Sequence, residues 1–313
     1  MNQRKAASSV PDAQETRFFT LVVDTQQARK ARLLVESLRA FGGRMSGCPV
    51  WVFYPDLASA DEEMWQGLDS VHPLPLGEVH APSYWFSRKT HACARAEQLA
   101  GPEVRSLVWL APENLFVQPP VLFDLGLSNE ASPYKAAFRT VHHANIGSPA
   151  DRPLDAFWRT IYNLTGLDDA PYTTRSYIDG QELRPYWNTH CFAIDPALGL
   201  LQAWHEGFCA LVDDERFQAG SCHDVPHQVF LHQAVLSTLV AQRLPWEQVR
   251  LLPPEYNYPL NLLGEMPPDL QVPNLNSLVN AVYEGTFPSR RIEIHEPLCS
   301  WLVERLPEEA RSS

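Results

Sequence analysis

Val104-Arg-Ser-Leu-Val-Trp-Leu-Ala-Pro-Glu-Asn-Leu-Phe-Val-Gln-Pro-Pro120 decides the fold. Residues 107–110 read as a buried strand, 111–114 as a polar break, and the next few as a short extended run into a double proline. A strand apolar on both faces belongs in the middle of an α/β sheet. Its end, where Glu113 is presented, is where open sheets of that kind place their ligands.

Upstream, the apolar run 18–23 predicts another buried strand, followed by Asp24-Thr25 as a helix-capping pair. A helix is predicted over 26–41, with Ala31, Leu34, Val35, Leu38 and Phe41 on one face and Gly42-Gly43 as its stop. Residues 50–54 form the next strand, ended by Pro55. A strand–helix–strand opening with a crossover helix implies parallel pairing. A second helix is predicted over 89–100, with Ala92, Ala96 and Leu99 inward, and it leads to the strand before Glu113. The second half predicts strands over 134–141 and 186–194, helices over 154–164, to about 212 and over 229–241, and a proline-bounded strand and loop over 251–261.

This reads as an α/β protein: a tail over 1–16, one domain over 17–305, and a tail over 306–313. Within the domain, the chain divides into 17–125 and 126–305.

Composition narrows the partners. A net charge of −12 argues against nucleic acid or an anionic membrane surface, so any anionic ligand must be held by local groups. No run reaches the ~18 apolar residues of a membrane helix. The six cysteines are scattered without a CxxC pair, which suits free thiols in a cytoplasmic protein. No Gly-x-Gly-x-x-Gly follows the first strand, which argues against a dinucleotide-binding Rossmann site. His223 and His227 are spaced for one helical face, but Pro226 lies between them and no further pattern supports zinc.

Six segments, in order, resemble the GT-A-fold glycosyltransferases, the glycogenin-like nucleotide-diphospho-sugar transferases. They are the 19–25 strand end with its helix, Lys89, the Trp109–Glu113 run, Tyr186-Trp-Asn-Thr-His-Cys-Phe-Ala-Ile194, Leu231-His-Gln-Ala-Val-Leu-Ser237 with Leu252-Pro-Pro-Glu-Tyr-Asn-Tyr258, and Arg291-Ile-Glu-Ile-His-Glu-Pro297, which resembles the family's late strand. The resemblance makes 17–125 the nucleotide-binding half and 126–305 the acceptor and sugar half. The Trp-Leu-Asp-x-Asp metal motif of that family is degenerate here, with Ala111 and Glu113 at its acids. His190 stands where a glycine is usual, His232 where an aspartate is usual, and no lysine precedes Pro297.

The resemblance implies a GT-A-like mixed, mostly parallel sheet flanked by helices. It also implies transfer of a hexosyl group from a nucleotide-diphosphate sugar to a glycan, protein or small-molecule acceptor. Asp24, Thr25, Lys89, Glu113, Tyr256 and Asn257 would bind the nucleotide, and Glu113 with His295 would hold Mn²⁺ or Mg²⁺. Asn188 would meet the sugar, with His232 as base and Gln233 beside it. Because the metal motif has lost its first acid, a non-catalytic binding protein of the same fold is the alternative. A transferase in which Lys89 or nearby arginines such as Arg88 replace the cation is a third reading.

Overall fold

The computed structural model describes residues 15–56, 62–126, 132–285, 287 and 291–306. The predicted tails fall almost wholly outside these residues, except that Thr16 already belongs to the first strand and Leu306 is buried at the end of the last helix.

In chain order the elements are β1 (Thr16–Leu21), α1 (Thr25–Phe41), β2 (Val50–Tyr54), β3 (Val71–Pro75), α2 (Ser87–Leu99), β4 (Ser106–Leu110) and β5 (Asn114–Phe116). There follow β6 (Ala136–Phe138), α3 (Ala156–Thr165), β7 (Thr174–Arg175), β8 (Glu182–Leu183), β9 (Cys191–Ile194), α4 (Leu200–Asp213) and α5 (Glu215–Gly220). The last are α6 (Val225–Arg243), β10 (Val249–Leu251), β11 (Tyr258–Pro259), β12 (Asn280–Val282) and α7 (Leu298–Arg305).

A seven-stranded sheet in the order β10-β6-β9-β4-β1-β2-β3 forms the centre. β1 pairs in parallel with β2 and with β4, and β2 with β3, while β9 runs antiparallel to both β4 and β6. The sheet is therefore α/β, mixed and mostly parallel. One sheet also joins the two predicted halves, since β9 completes β4.

The expected opening is present. Asp24 caps α1 by accepting from the Gln27 N–H at 2.8 Å, a contact worth about 1 kcal/mol. Alternation along β1 and β4 splits the core between the faces. Phe18 and Val108 pack with Ala31, Leu34 and Leu38 of α1, while Phe19 and Trp109 pack with Ala92 and Ala96 of α2. The two helices thus cover opposite faces. From β1 the chain winds outward through β2 to β3, then returns across β1 to β4. The strand order reverses between β1 and β4, and the crevice beyond their carboxyl ends is the topological switch point.

Several expectations need correction. Leu99 is exposed at the end of α2 rather than inward. The strand predicted over 186–194 is only β9, because Trp187 forms an isolated bridge to Thr140 and residues 188–190 turn toward side-chain partners. The strand over 134–141 shortens to β6, and α6 begins four residues before its predicted start because Asp224 caps it with Pro226 in the first turn. The late strand read over 291–297 is not a strand. Those residues are irregular and lead into α7.

Candidate functional site

A cleft of about 560 Å³ opens at the switch point. Leu21 and Val23 enter it from the end of β1, Trp109 and Ala111–Glu113 from the end of β4, Phe86–Lys89 from the start of α2, and His232 and Gln233 from α6. Thr189, His190 and Glu284 complete the wall.

The start of α2 is unusual. Phe86, its N-cap, has φ 62°, the left-handed region that costs a bulky residue roughly 1–2 kcal/mol. No side chain caps the helix, and the Arg88 and Lys89 backbone N–H groups have no acceptor among the described residues. The strained turn lays the Phe86 ring on His232 at 4.0 Å between centroids and aims the helix start at the cleft.

Lys89 is 7% exposed. Its Nζ donates to the Thr189 carbonyl at 2.6 Å and to the Thr189 hydroxyl at 2.8 Å, and it lies within 5.5 Å of the Phe86 and Trp109 ring centroids. Burial pulls its pKa down to about 7, opposed by smaller attractions from Cys93, Cys191 and Glu113. The rings favour a cation by at most about 2 kcal/mol, whereas desolvating an ammonium costs several. Two acceptors match the two hydrogens of a neutral amine, and an anion in the cleft would draw on the third position as N–H.

A polar relay continues from there. The His232 Nδ1–H donates to the Val229 carbonyl at 2.8 Å, which leaves Nε2 bare to accept from the Thr189 hydroxyl at 2.9 Å. His232 is buried and its pKa lies well below the usual histidine value, first because of that burial and then because of Lys89. It is a neutral acceptor already in use, which departs from the open general base expected at this position. Gln233, 8% exposed, lines the cleft with its Oε1 unpartnered.

The remaining expected residues fall into two groups. Asp24 and Thr25 are the cap and first residue of α1, and neither lines the cleft, although Val23 and Gln27 beside them do. Asn188, Tyr256 and Asn257 stand behind the wall. The Asn188 Oδ1 accepts from the His190 N–H at 2.8 Å and from Asn257 Nδ2 at 2.9 Å, so it positions His190, and Asn188 itself does not line the cleft. The Tyr256 hydroxyl accepts from the Leu122 N–H at 3.0 Å, away from the cleft. Asn257 (φ 52°) is fully buried, and its N–H donates to Asn280, whose amide in turn donates to Asn114 at 2.8 Å. Asn114 donates to the Ala111 carbonyl at 2.9 Å. This ladder ties the loop after β4 to the segment before β9.

The expected metal pair is not assembled. Glu113 does line the cleft, but its carboxylate is held by Lys30 at 3.1 Å. His295 is not in the cleft wall: its Nε2 meets Glu293 at 2.9 Å. Among the described residues, no three His, Cys, Asp or Glu side chains are grouped to hold a metal ion. The other cleft acid, Glu284, meets His190 Nε2 at 2.8 Å, and that hydrogen bond holds its carboxyl below the usual range.

Sequence reasoning missed Thr189, His190 as a cleft residue, Glu284 and the Asn114–Asn280 pair. None carries a local signal, because each acts through a partner distant in sequence. Among the described residues no helix is long and apolar enough to cross a membrane. Compared with models of known protein families and with curated proteins, the chain matches none.

Proposed function

We propose that the protein is a glycosyltransferase that moves a hexosyl group from a nucleotide-diphosphate sugar to an acceptor, with a GT-A-like use of the switch-point cleft. One observation carries the reading. A single cleft presents a buried amine, Lys89, and a buried amide oxygen, that of Gln233, the first without a carboxylate partner and the second without a donor among the described residues. The first suits a phosphate and the second a hydroxyl, and a nucleotide-sugar carries both.

In the transfer, the bond from the anomeric carbon to the diphosphate oxygen breaks and a bond to the acceptor oxygen forms. The diphosphate departs with the electron pair, and positive groups at the start of α2 stabilise it. The acceptor hydroxyl loses its proton to a carboxylate, for which Glu284, kept ionised by His190, is the cleft residue in place. The resemblance of the ordered segments supports the same reading.

Binding without turnover is the second reading, favoured by the engagement of His232 Nε2 with Thr189. Calorimetric titration with UDP, UDP-glucose and GDP-mannose, followed by assay of released nucleotide, decides between them. Binding with slow release of UDP or GDP supports the transferase, and binding without release supports the second reading. Failure of all three to bind overturns both.

A further inference from the structure

We propose that this cleft holds its phosphorylated ligand without a divalent cation, with the Lys89 amine, the Arg88 guanidinium and the open first turn of α2 in the cation's place. The inference rests on the proposed donor site but is tested separately from it.

The acids are the first part of the argument. A divalent cation shared with a diphosphate needs carboxylates free to ligate it. Both acids of the cleft are already engaged by the protein itself: Glu113 by the Lys30 ammonium at 3.1 Å and Glu284 by a hydrogen bond with His190 Nε2 at 2.8 Å. Recruiting either as a ligand would strand its present partner. With these acids engaged, Arg88 and Lys89 are the cleft's basic side chains without a carboxylate partner among the described residues. The cleft thus offers an anion two basic side chains in a chain whose net charge is −12.

The start of α2 is the second part. Its unpaired N–H groups and dipole favour an anion. Phe86, Arg88 and Lys89 all line the cleft, so the helix end and the two cations address one volume. A lysine in the first turn opposes the helix dipole, and one that is also buried is disfavoured twice. A bound anion removes both penalties.

Gln233 is an independent sign of a ligand in the same place. Its Oε1 is buried with no donor among the described residues, and Gln233 lines the cleft from α6, next in sequence to the His232 that closes the Lys89–Thr189 relay. The arrangement asks for a phosphate at one end and a hydroxyl-bearing group beside it.

The test is titration of the full chain with inorganic pyrophosphate and with UDP, each in EDTA and in Mn²⁺. Arg88→Ala, Lys89→Met and Glu113→Ala serve as variants, and thermal unfolding confirms that each is folded. The expected result is binding in EDTA at least as tight as in Mn²⁺. Arg88→Ala and Lys89→Met should each weaken it about tenfold or more, the usual loss of a charge-assisted contact. Glu113→Ala should tighten it severalfold by removing a negative charge from the cleft.

Binding that appears only with Mn²⁺, or that is lost in Glu113→Ala, overturns the inference and leaves the donor reading standing. Pyrophosphate binding in EDTA without any binding of UDP or nucleotide-sugars does the reverse. Should Lys89→Met fail to fold, Arg88→Ala, whose side chain is surface-reaching, carries the test alone, and unchanged affinity there overturns the inference.

Discussion

Among the described residues the Lys89 amine hydrogen-bonds only to Thr189: its Nζ lies 2.6 Å from that residue's carbonyl and 2.8 Å from its hydroxyl. Residues 100 positions apart thereby bind the start of α2 to the segment before β9. No carboxylate shares the task, so the fold carries the desolvation of this amine on its own. That is the pattern of a group kept for a ligand rather than for stability.

Lys89→Met should therefore stabilise the free protein. With the pKa drawn from 10.5 to about 7, keeping the amine charged costs the fold on the order of 4–5 kcal/mol at low pH. The charged form is the disfavoured one. The penalty is full below pH 7, shrinks as pH rises from 7 toward 10.5, and is absent above. The gain in melting temperature of Lys89→Met over wild type should be largest at pH 6 and fall to less than half of that by pH 9. A variant less stable at pH 6 would show that Lys89 is held by something stronger than Thr189.

The same amine should make anion binding depend on pH. A phosphate favours the ammonium, so UDP binding takes up a proton wherever Lys89 is neutral in the free protein. Affinity should fall as pH rises through about 7, approaching tenfold per pH unit beyond it. Calorimetry at pH 8 in two buffers of different ionisation enthalpy measures the proton directly. Lys89→Met should flatten the profile above pH 7.

Thr189→Val probes the relay. It keeps the shape of the side chain, removes one of the two acceptors for Lys89 and leaves His232 Nε2 without a donor in a buried place. Stability should drop by about 1–3 kcal/mol, measured by urea unfolding. Thr189→Ser, which restores the hydroxyl, should recover most of it. Equal losses in both would locate the effect in the methyl group's packing instead.

Much of the frame is legible in the chain because it is written in local patterns. The strand at Phe18 and Phe19, the Asp24 cap, the face of α1 and the strand ending at Leu110 each follow from periodicity and capping within a few residues. Glu113, Lys89, His232 and Gln233 do meet in one cleft. What fails is orientation. Asn188 reads as a pocket amide, but its oxygen is used by His190 and Asn257, a residue in left-handed conformation far along the chain. The alternating residues 291–297 read as a strand, yet strand formation needs a neighbour to pair with, and none of the described strands pairs there. Thr189 and Glu284 have no sequence signal, since their roles depend on partners brought by other elements.

The asparagine ladder should be structurally expensive to break. Asn280 is fully buried, accepts from the Asn257 N–H at 3.1 Å and donates to Asn114 at 2.8 Å. Asn280→Ala strands both partners, at about 1–3 kcal/mol each. A loss of about 2–5 kcal/mol is expected in denaturant unfolding. Ligand affinity, measured where the variant is still folded, should fall as well, because the ladder holds the loop of Ala111 that faces the cleft.

Glu284→Gln separates turnover from binding. The glutamine keeps the size of the side chain, and its Oε1 can still accept from His190, so the wall should stay in place. What it lacks is a carboxylate to take the acceptor proton, and losing a positioned base lowers rates by about 10²–10⁴-fold. Donor binding should change by no more than a few fold, and in the tighter direction, since one negative charge leaves a cleft built for an anion. The low pKa that His190 imposes on Glu284 also sets the sign of the pH profile: activity depending on this carboxylate persists into mildly acidic solution and falls only where Glu284 protonates, below the usual glutamate range. Nucleotide release measured against pH for wild type and Glu284→Gln checks both statements. Undiminished release by the variant would remove Glu284 from the chemistry and leave the His190 pair as a structural contact of the cleft wall.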